Sequence, residues 1–138
     1  MNPGSDKSGQ LTVGEKDLRI TGIGLVLRKY KLDEIPQLLN VLKGDMSIVG
    51  PRPEVPKYVN LYSKEQLRVL SVRPGLTDLA SIEFINENEI LGKSDNPEKE
   101  YIEVIMPKKL ALNIQYIESQ SFSGDFKLIV KTIVKILR

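Results

Sequence analysis

A chain of 138 residues, 41% hydrophobic and 28% charged, can bury one modest core and has the composition of a globular protein. Its net charge of +2 does not demand nucleic acid, and its aromatics are scattered rather than interleaved with basic residues, which disfavours a nucleic-acid binder. With no cysteine and no histidine there is no disulfide frame, no thiolate nucleophile, no Ser-His or Cys-His triad and no histidine-ligated zinc, so chemistry must come from carboxylates, amines, hydroxyls or a hard cation on oxygen ligands.

No apolar run reaches the roughly 18 residues that span a bilayer and no signal peptide is recognisable, the pattern of a soluble cytoplasmic piece. Residues 1–16 are polar and Gly-rich, with Leu11-Thr12-Val13 the only strand-like fragment; residues 1–10 are expected to be a disordered start and residues 11–138, without repeat or linker, a single domain. Asp17-Leu18-Arg19-Ile20-Thr21 leads into Gly22-Ile23-Gly24, where G-x-G without a third glycine favours a tight turn feeding a short helix over a phosphate loop.

The next stretch is the most informative. Asp33 and Glu34 open an apolar pattern of Leu38, Leu39, Val41 and Leu42 that Gly44 stops, with Arg28, Lys29 and Lys31 just upstream. Pro36 is tolerated only in a first turn, so the spacing predicts a helix over 33–43 with Asp33 at or near its N-cap, above the positive end of the helix dipole. There, close to arginine and lysine, the carboxylate stays ionised at neutral pH. Spacing alone leaves two roles open for this pair: a plain cap with a first-turn dipole partner, or a catalytic dyad.

Met46–Val49 reads as a short strand. Gly50-Pro51-Arg52-Pro53 must be extended, because a residue before proline is pushed out of the helical region, and so stiff a segment can fix Arg52 or merely connect. A short helix over 54–62 follows, then a capping box at Ser63-Lys64-Glu65-Gln66 that opens a helix through Val72. Residues 73–77 read as a turn and 79–85 as a strand, with Ile82 and Phe84 on one face. A short helix at 87–92, a turn at 94–97, a helix near 98–104 and a longer one opened by Pro107 complete the middle of the chain. Ser123-Gly124-Asp125 is the last break, with Asp125 able to cap a terminal helix over 126–138. That helix sets Lys127, Lys131, Lys135 and Arg138 along one face against Phe126, Ile129, Val130, Ile133 and Val134, and it either packs on its own domain or lies in a membrane interface. The fold class expected is α+β and mostly helical: short helices, little sheet, an amphipathic C-terminal helix.

The run from Arg28 through Leu32-Asp33-Glu34-Ile35-Pro36-Gln37 to Ser47-Ile48-Val49-Gly50-Pro51-Arg52-Pro53 closely resembles the bacterial sugar transferases, the monotopic phosphoglycosyl transferases or polyprenyl-phosphate sugar phosphotransferases. Asp17, Arg19, Ile20 and Thr21 fit that family's Asp-x-Arg-Ile-Thr pattern, Leu27-Arg28 its Leu-Arg pair, and Pro74, Gly75 and Thr77 its Pro-Gly-x-Thr motif. After that motif the family usually carries glycine and later glutamine, where this chain has Asp78 and Ser81. The resemblance runs from about Thr12 to the C-terminus and is weaker beyond Asn86.

The resemblance implies transfer of a phospho-sugar from a nucleotide diphosphate sugar, expected to be a UDP-sugar, to a membrane polyprenyl phosphate, with release of the nucleoside monophosphate. This would be the first membrane step of glycoconjugate assembly, at the cytoplasmic face of a bacterial inner membrane. It carries the family's Asp-Glu dyad onto Asp33 and Glu34, the candidate Mg²⁺ ligands, with Glu34 binding the metal or positioning the acceptor phosphate. Arg28 and Arg52 are the candidate diphosphate clamp and Arg73 a weaker third, since a guanidinium suits bidentate phosphate contacts; Asp17, Arg19, Gln37 and Thr77 are further candidate substrate contacts. Family members begin with a re-entrant membrane hairpin; nothing like it precedes residue 11, so the chain is expected to be the catalytic portion. The competing reading is a non-catalytic basic helical domain that binds a membrane surface or a protein partner, with Asp33 only a cap.

Overall fold

The computed structural model describes residues 20–29, 32 and 35–136. Helices dominate, with two short parallel strands among the described residues. Helix α1 (Gly22–Lys29) is opened by Thr21, whose hydroxyl accepts the Gly24 N–H at 3.1 Å. Helix α2 (Ile35–Lys43) carries Pro36 in its first turn, and it ends at Gly44, whose φ of 84° lies in the left-handed region that glycine enters without cost.

Strand β1 (Ser47–Val49) pairs with β2 (Gly75–Thr77), Ser47 opposite Gly75 and Val49 opposite Thr77. Past Val49 the chain bends at Gly50 and lies against Gly75, where Gly75 N–H donates to the Pro51 carbonyl at 2.9 Å. A Cβ on Gly75 would sit 2.2 Å from the Gly50 nitrogen, so this crossing is backbone against backbone and has no room for a side chain. Residues 73–77, expected as a turn, thus contain a strand. Its partner lies almost thirty residues away, a pairing no local pattern announces.

Residues 79–85, expected as a strand, instead form helix α4 (Leu79–Glu83), which follows the short helix α3 (Pro56–Val59) and a 3₁₀ turn (Gln66–Ser71) in the chain. Asp78 settles the choice by capping α4: its carboxylate accepts the Ser81 N–H at 2.6 Å. The capping box forms reciprocally, Ser63 Oγ accepting from Gln66 N–H at 3.2 Å and Gln66 Oε1 from Ser63 N–H at 2.8 Å, although the helix it opens is 3₁₀.

Helix α5 (Glu87–Gly92) precedes α6 (Pro97–Glu100), a π turn (Tyr101–Ile105) and α7 (Met106–Glu118), which run without a break. Pro107 therefore does not start a new helix. Proline lacks an N–H and crowds the carbonyl four residues earlier, and the wider π turn placed just before it lets the helix continue.

Helix α7 is the spine of the core. Met106 and Leu110 pack with Tyr58, Val69, Leu91, Tyr101 and Ile105, and Tyr116 packs with Val49, Ile82 and Leu128. The Tyr58 and Tyr101 rings meet tilted at 60° with centroids 5.0 Å apart. Tyr101 also donates a hydrogen bond to Glu54, and burial pushes its phenol up.

The last helix, α8 (Phe122–Ile136), starts earlier than expected. Ser121, not Asp125, caps it, its hydroxyl accepting from Gly124 N–H at 3.2 Å. Asp125 instead accepts the Tyr116 hydroxyl at 2.8 Å, and burial with that hydrogen bond pushes the phenol up to about 12. Leu128 buries against the sheet and α4, while Phe122, Phe126, Val130, Ile133 and Val134 stay exposed. Packing on its own domain, one of the two outcomes expected for this helix, is thus present on one stripe, while a second apolar stripe is exposed.

Candidate active site

Arg52 and Thr77 come together. Both line a cavity of about 460 Å³, a size that suits a small ligand, enclosed by β1, β2, α4, α5, α7 and α8. Ile48, Ile82, Phe84 and Ile129 supply apolar walls; Ser81, Asn88, Thr132, Glu87, Lys109 and Lys135 supply polar groups. Three cations against one carboxylate give the lining a positive balance, as a polyanionic ligand requires.

The local sequence explains each placement. Thr77 ends β2 and is 7% exposed; its carbonyl accepts Gly50 N–H at 3.0 Å, and its hydroxyl lies 2.8 Å from that of Thr132 on α8. Arg52 stands between two prolines, and its N–H donates to Asp78 Oδ2 at 3.3 Å. Lys109, in the first turn of α7, pairs with Glu87 of α5 at 2.8 Å and lies 5.5 Å from the centre of the Tyr101 ring. Lys135 donates to the Ile82 carbonyl at 2.6 Å and so fastens α8 to α4.

Arg73 stands apart from this cavity. One of its guanidinium nitrogens lies 4.0 Å from where a Cβ on Gly44 would be, beside the C-terminal end of α2, where a cation meets the negative end of the helix dipole. Gln37 sits in the first turn of α2, and its Oε1 is buried with no hydrogen-bond partner among the described residues, an acceptor still to be satisfied. Asp17, Arg19, Asp33 and Glu34 lie outside the described residues, as does the Arg28 side chain. Among the described residues no group of three acidic residues could hold a metal ion.

Sequence reasoning missed Lys109, Glu87, Asn88 and Thr132. Nothing local separates Lys109 from Lys108, and Thr132 lies 55 residues from the threonine it meets.

A family model described as bacterial sugar transferase matches residues 1–138. The chain belongs to the bacterial sugar transferase family. Among its relatives, the uncharacterized sugar transferase EpsL of Bacillus subtilis is 38% identical over 132 residues, covering 96% of this chain and 56% of EpsL. A UDP-glucose:undecaprenyl-phosphate glucose-1-phosphate transferase of Caulobacter vibrioides is 37% identical, over 88% of this chain and 42% of that protein. A UDP-N-acetylgalactosamine-undecaprenyl-phosphate N-acetylgalactosaminephosphotransferase of Aeromonas hydrophila is 33% identical, over 96% and 29%. The chain spans about half or less of the length of these relatives. Arg52 and Thr77 of this chain lie on one cation-lined cavity.

Proposed function

We propose that this sugar transferase moves a phospho-sugar from a UDP-sugar to a polyprenyl phosphate, releasing UMP. The observation that carries the reading is the convergence of Arg52 and Thr77, from motifs far apart in the sequence, on a cavity with an excess of positive charge. Relatives whose names state a UDP-sugar and undecaprenyl phosphate as substrates support it.

In this reading the Asp33 carboxylate attacks the phosphorus that bears the sugar. The P–O bond to UMP breaks, and the phospho-sugar is held on Asp33 as an acyl phosphate, which divides one hard displacement into two. A phosphate oxygen of the polyprenyl phosphate then attacks the same phosphorus and frees Asp33. Arg52, with Arg28, offsets the negative charge that would otherwise repel the carboxylate. A magnesium ion held by Asp33, Glu34 and the diphosphate would supply further charge neutralisation. Lys109 and Lys135 keep the cavity attractive to the nucleotide diphosphate, and its hydroxyl and amide groups suit a sugar.

The acceptor is a membrane lipid, so the protein must work at a membrane surface, here the cytoplasmic one. No described helix is long and apolar enough to cross a bilayer. Helices α1, α2 and α8 instead present Ile23, Leu39, Leu42, Phe122, Phe126 and Ile133 to solvent, and α2 has no buried residue. That surface suits an interfacial contact, reinforced on α8 by Lys127 and Lys131.

Arg52→Lys tests the site. Pro51 and Pro53 limit backbone compensation and lysine lacks the planar fork, so UMP release from UDP-sugars should fall at least about tenfold with the fold unchanged. An unchanged rate would reduce Arg52 to a connector.

A further inference from the structure

Asp78 is the one charged residue among the described residues that is fully buried, 1% exposed. Both carboxylate oxygens are committed: Oδ1 accepts the Ser81 N–H at 2.6 Å and Oδ2 the Arg52 N–H at 3.3 Å. The second bond spans 26 residues of chain and reaches the segment Pro51-Arg52-Pro53. Prolines have no N–H, so the Arg52 amide is the only backbone donor these three residues possess, and Asp78 takes it. The same carboxylate starts α4, which supplies Ser81, Ile82 and Phe84 to the cavity wall. One buried group therefore ties the arm that carries Arg52 to the wall that Arg52 faces.

We propose that Asp78 is a positioning residue of the transfer site, setting the place of Arg52 relative to α4 through the Arg52 amide. The inference rests on the reading of Arg52 as a phosphate-binding group and adds a residue to it. A buried carboxylate without hydrogen-bond donors is costly, and these two amides are donors that offset the burial of Asp78. Glycine or alanine at this position would lose the cap together with the tie to Arg52. Asparagine separates the two, because it caps a helix about as well as aspartate. Its single oxygen can keep the Ser81 bond, while the amide nitrogen that replaces Oδ2 cannot accept from Arg52.

The experiment compares wild type, Asp78→Asn, Arg52→Ala and the double variant of the full chain. Amide hydrogen exchange by NMR and the affinity for UDP with Mg²⁺ by calorimetry are read on each. In Asp78→Asn the Arg52 amide should exchange at least about tenfold faster while the Ser81 amide stays protected. UDP affinity should fall about tenfold in the wild-type background and less than about twofold further in Arg52→Ala, because both changes remove the same positioned guanidinium. Unchanged exchange at Arg52 would overturn the proposal whatever UDP does. Equal losses of affinity in both backgrounds would also overturn it, leaving Asp78 a cap and nothing more. Failure of the wild type to bind UDP, with Arg52 exchange raised as expected in Asp78→Asn, would instead count against the reading of the cavity and leave the positioning intact.

Discussion

The hydroxyls of Thr77 and Thr132 lie 2.8 Å apart and join the β2 end of the cavity to helix α8. The proton order follows from the neighbours. Thr132 donates to the Leu128 carbonyl at 2.8 Å, as threonines in helices do, so the proton between the two threonines comes from Thr77. Thr132→Val removes the acceptor and leaves the buried Thr77 hydroxyl without one. We expect a loss of about 1–3 kcal/mol in stability and a raised KM for the nucleotide sugar, with chemical denaturation and steady-state kinetics as the measurements. Identical values for both would mean that α8 does not shape the cavity.

The Gly50–Gly75 crossing gives a second expectation. Gly75→Ala places a methyl 2.2 Å from the Gly50 nitrogen, and backbone cannot swing aside as a side chain can. Thermal unfolding should show a loss at or above the upper end of the roughly 1–3 kcal/mol that overpacking costs. Gly22→Ala is the control, since nothing lies within 4 Å of the added carbon there.

Alkaline pH offers a third. Burial, with the Asp125 hydrogen bond at Tyr116, raises the phenols of Tyr62 and Tyr116 from 10.0 to about 12. A raised folded value means the folded state holds its protons longer than the unfolded chain does. This stabilisation is complete below pH 10 and is lost as pH climbs toward 12. Unfolding followed against phenolate absorbance should show the tyrosines ionising with the unfolding transition. Ionisation of both near pH 10 in the folded protein would contradict the packing around them.

Helix α8 yields the fourth. Its exposed Val130 and Val134 stand three residues on from Lys127 and Lys131, next to them on the helix surface, and a lysine near an anionic bilayer contributes about 1 kcal/mol. The chain should float with anionic liposomes, less with neutral ones, and less at high salt. Replacing Lys127 and Lys131 by glutamine should weaken the preference. Indifference to lipid charge and salt would remove α8 from the membrane contact.

These features differ in how far the sequence discloses them. The Ser63–Gln66 box, the short strand after Met46 and the stiff Pro51-Arg52-Pro53 segment are set by neighbours within a few residues, and local pattern reading finds them. The exchange of strand and helix around Asp78 is not of that kind. Leu79–Glu83 alternates well enough for a strand, and the Asp78 cap, which also holds the distant Arg52 amide, together with core packing of Ala80 and Ile82 favours helix. The same holds for the cavity. Arg52 and Thr77 stand out in the sequence because they lie in motifs, whereas Lys109, Glu87 and Thr132 join the site through packing of α5, α7 and α8, which leaves no local trace. The apolar run of α2 was equally plain to read, but periodicity cannot tell a core-facing stripe from one facing outward.

The most direct measurement is UMP release from UDP-sugars, with polyprenyl phosphate in micelles and Mg²⁺ present, by wild type and Asp33→Asn. Asparagine preserves a helix cap but cannot form an acyl phosphate. Wild type should release UMP and accumulate lipid-linked phospho-sugar, and Asp33→Asn should do neither while unfolding at the same temperature. Equal turnover by the two proteins would contradict the assignment of Asp33 as nucleophile and, with it, the mechanism.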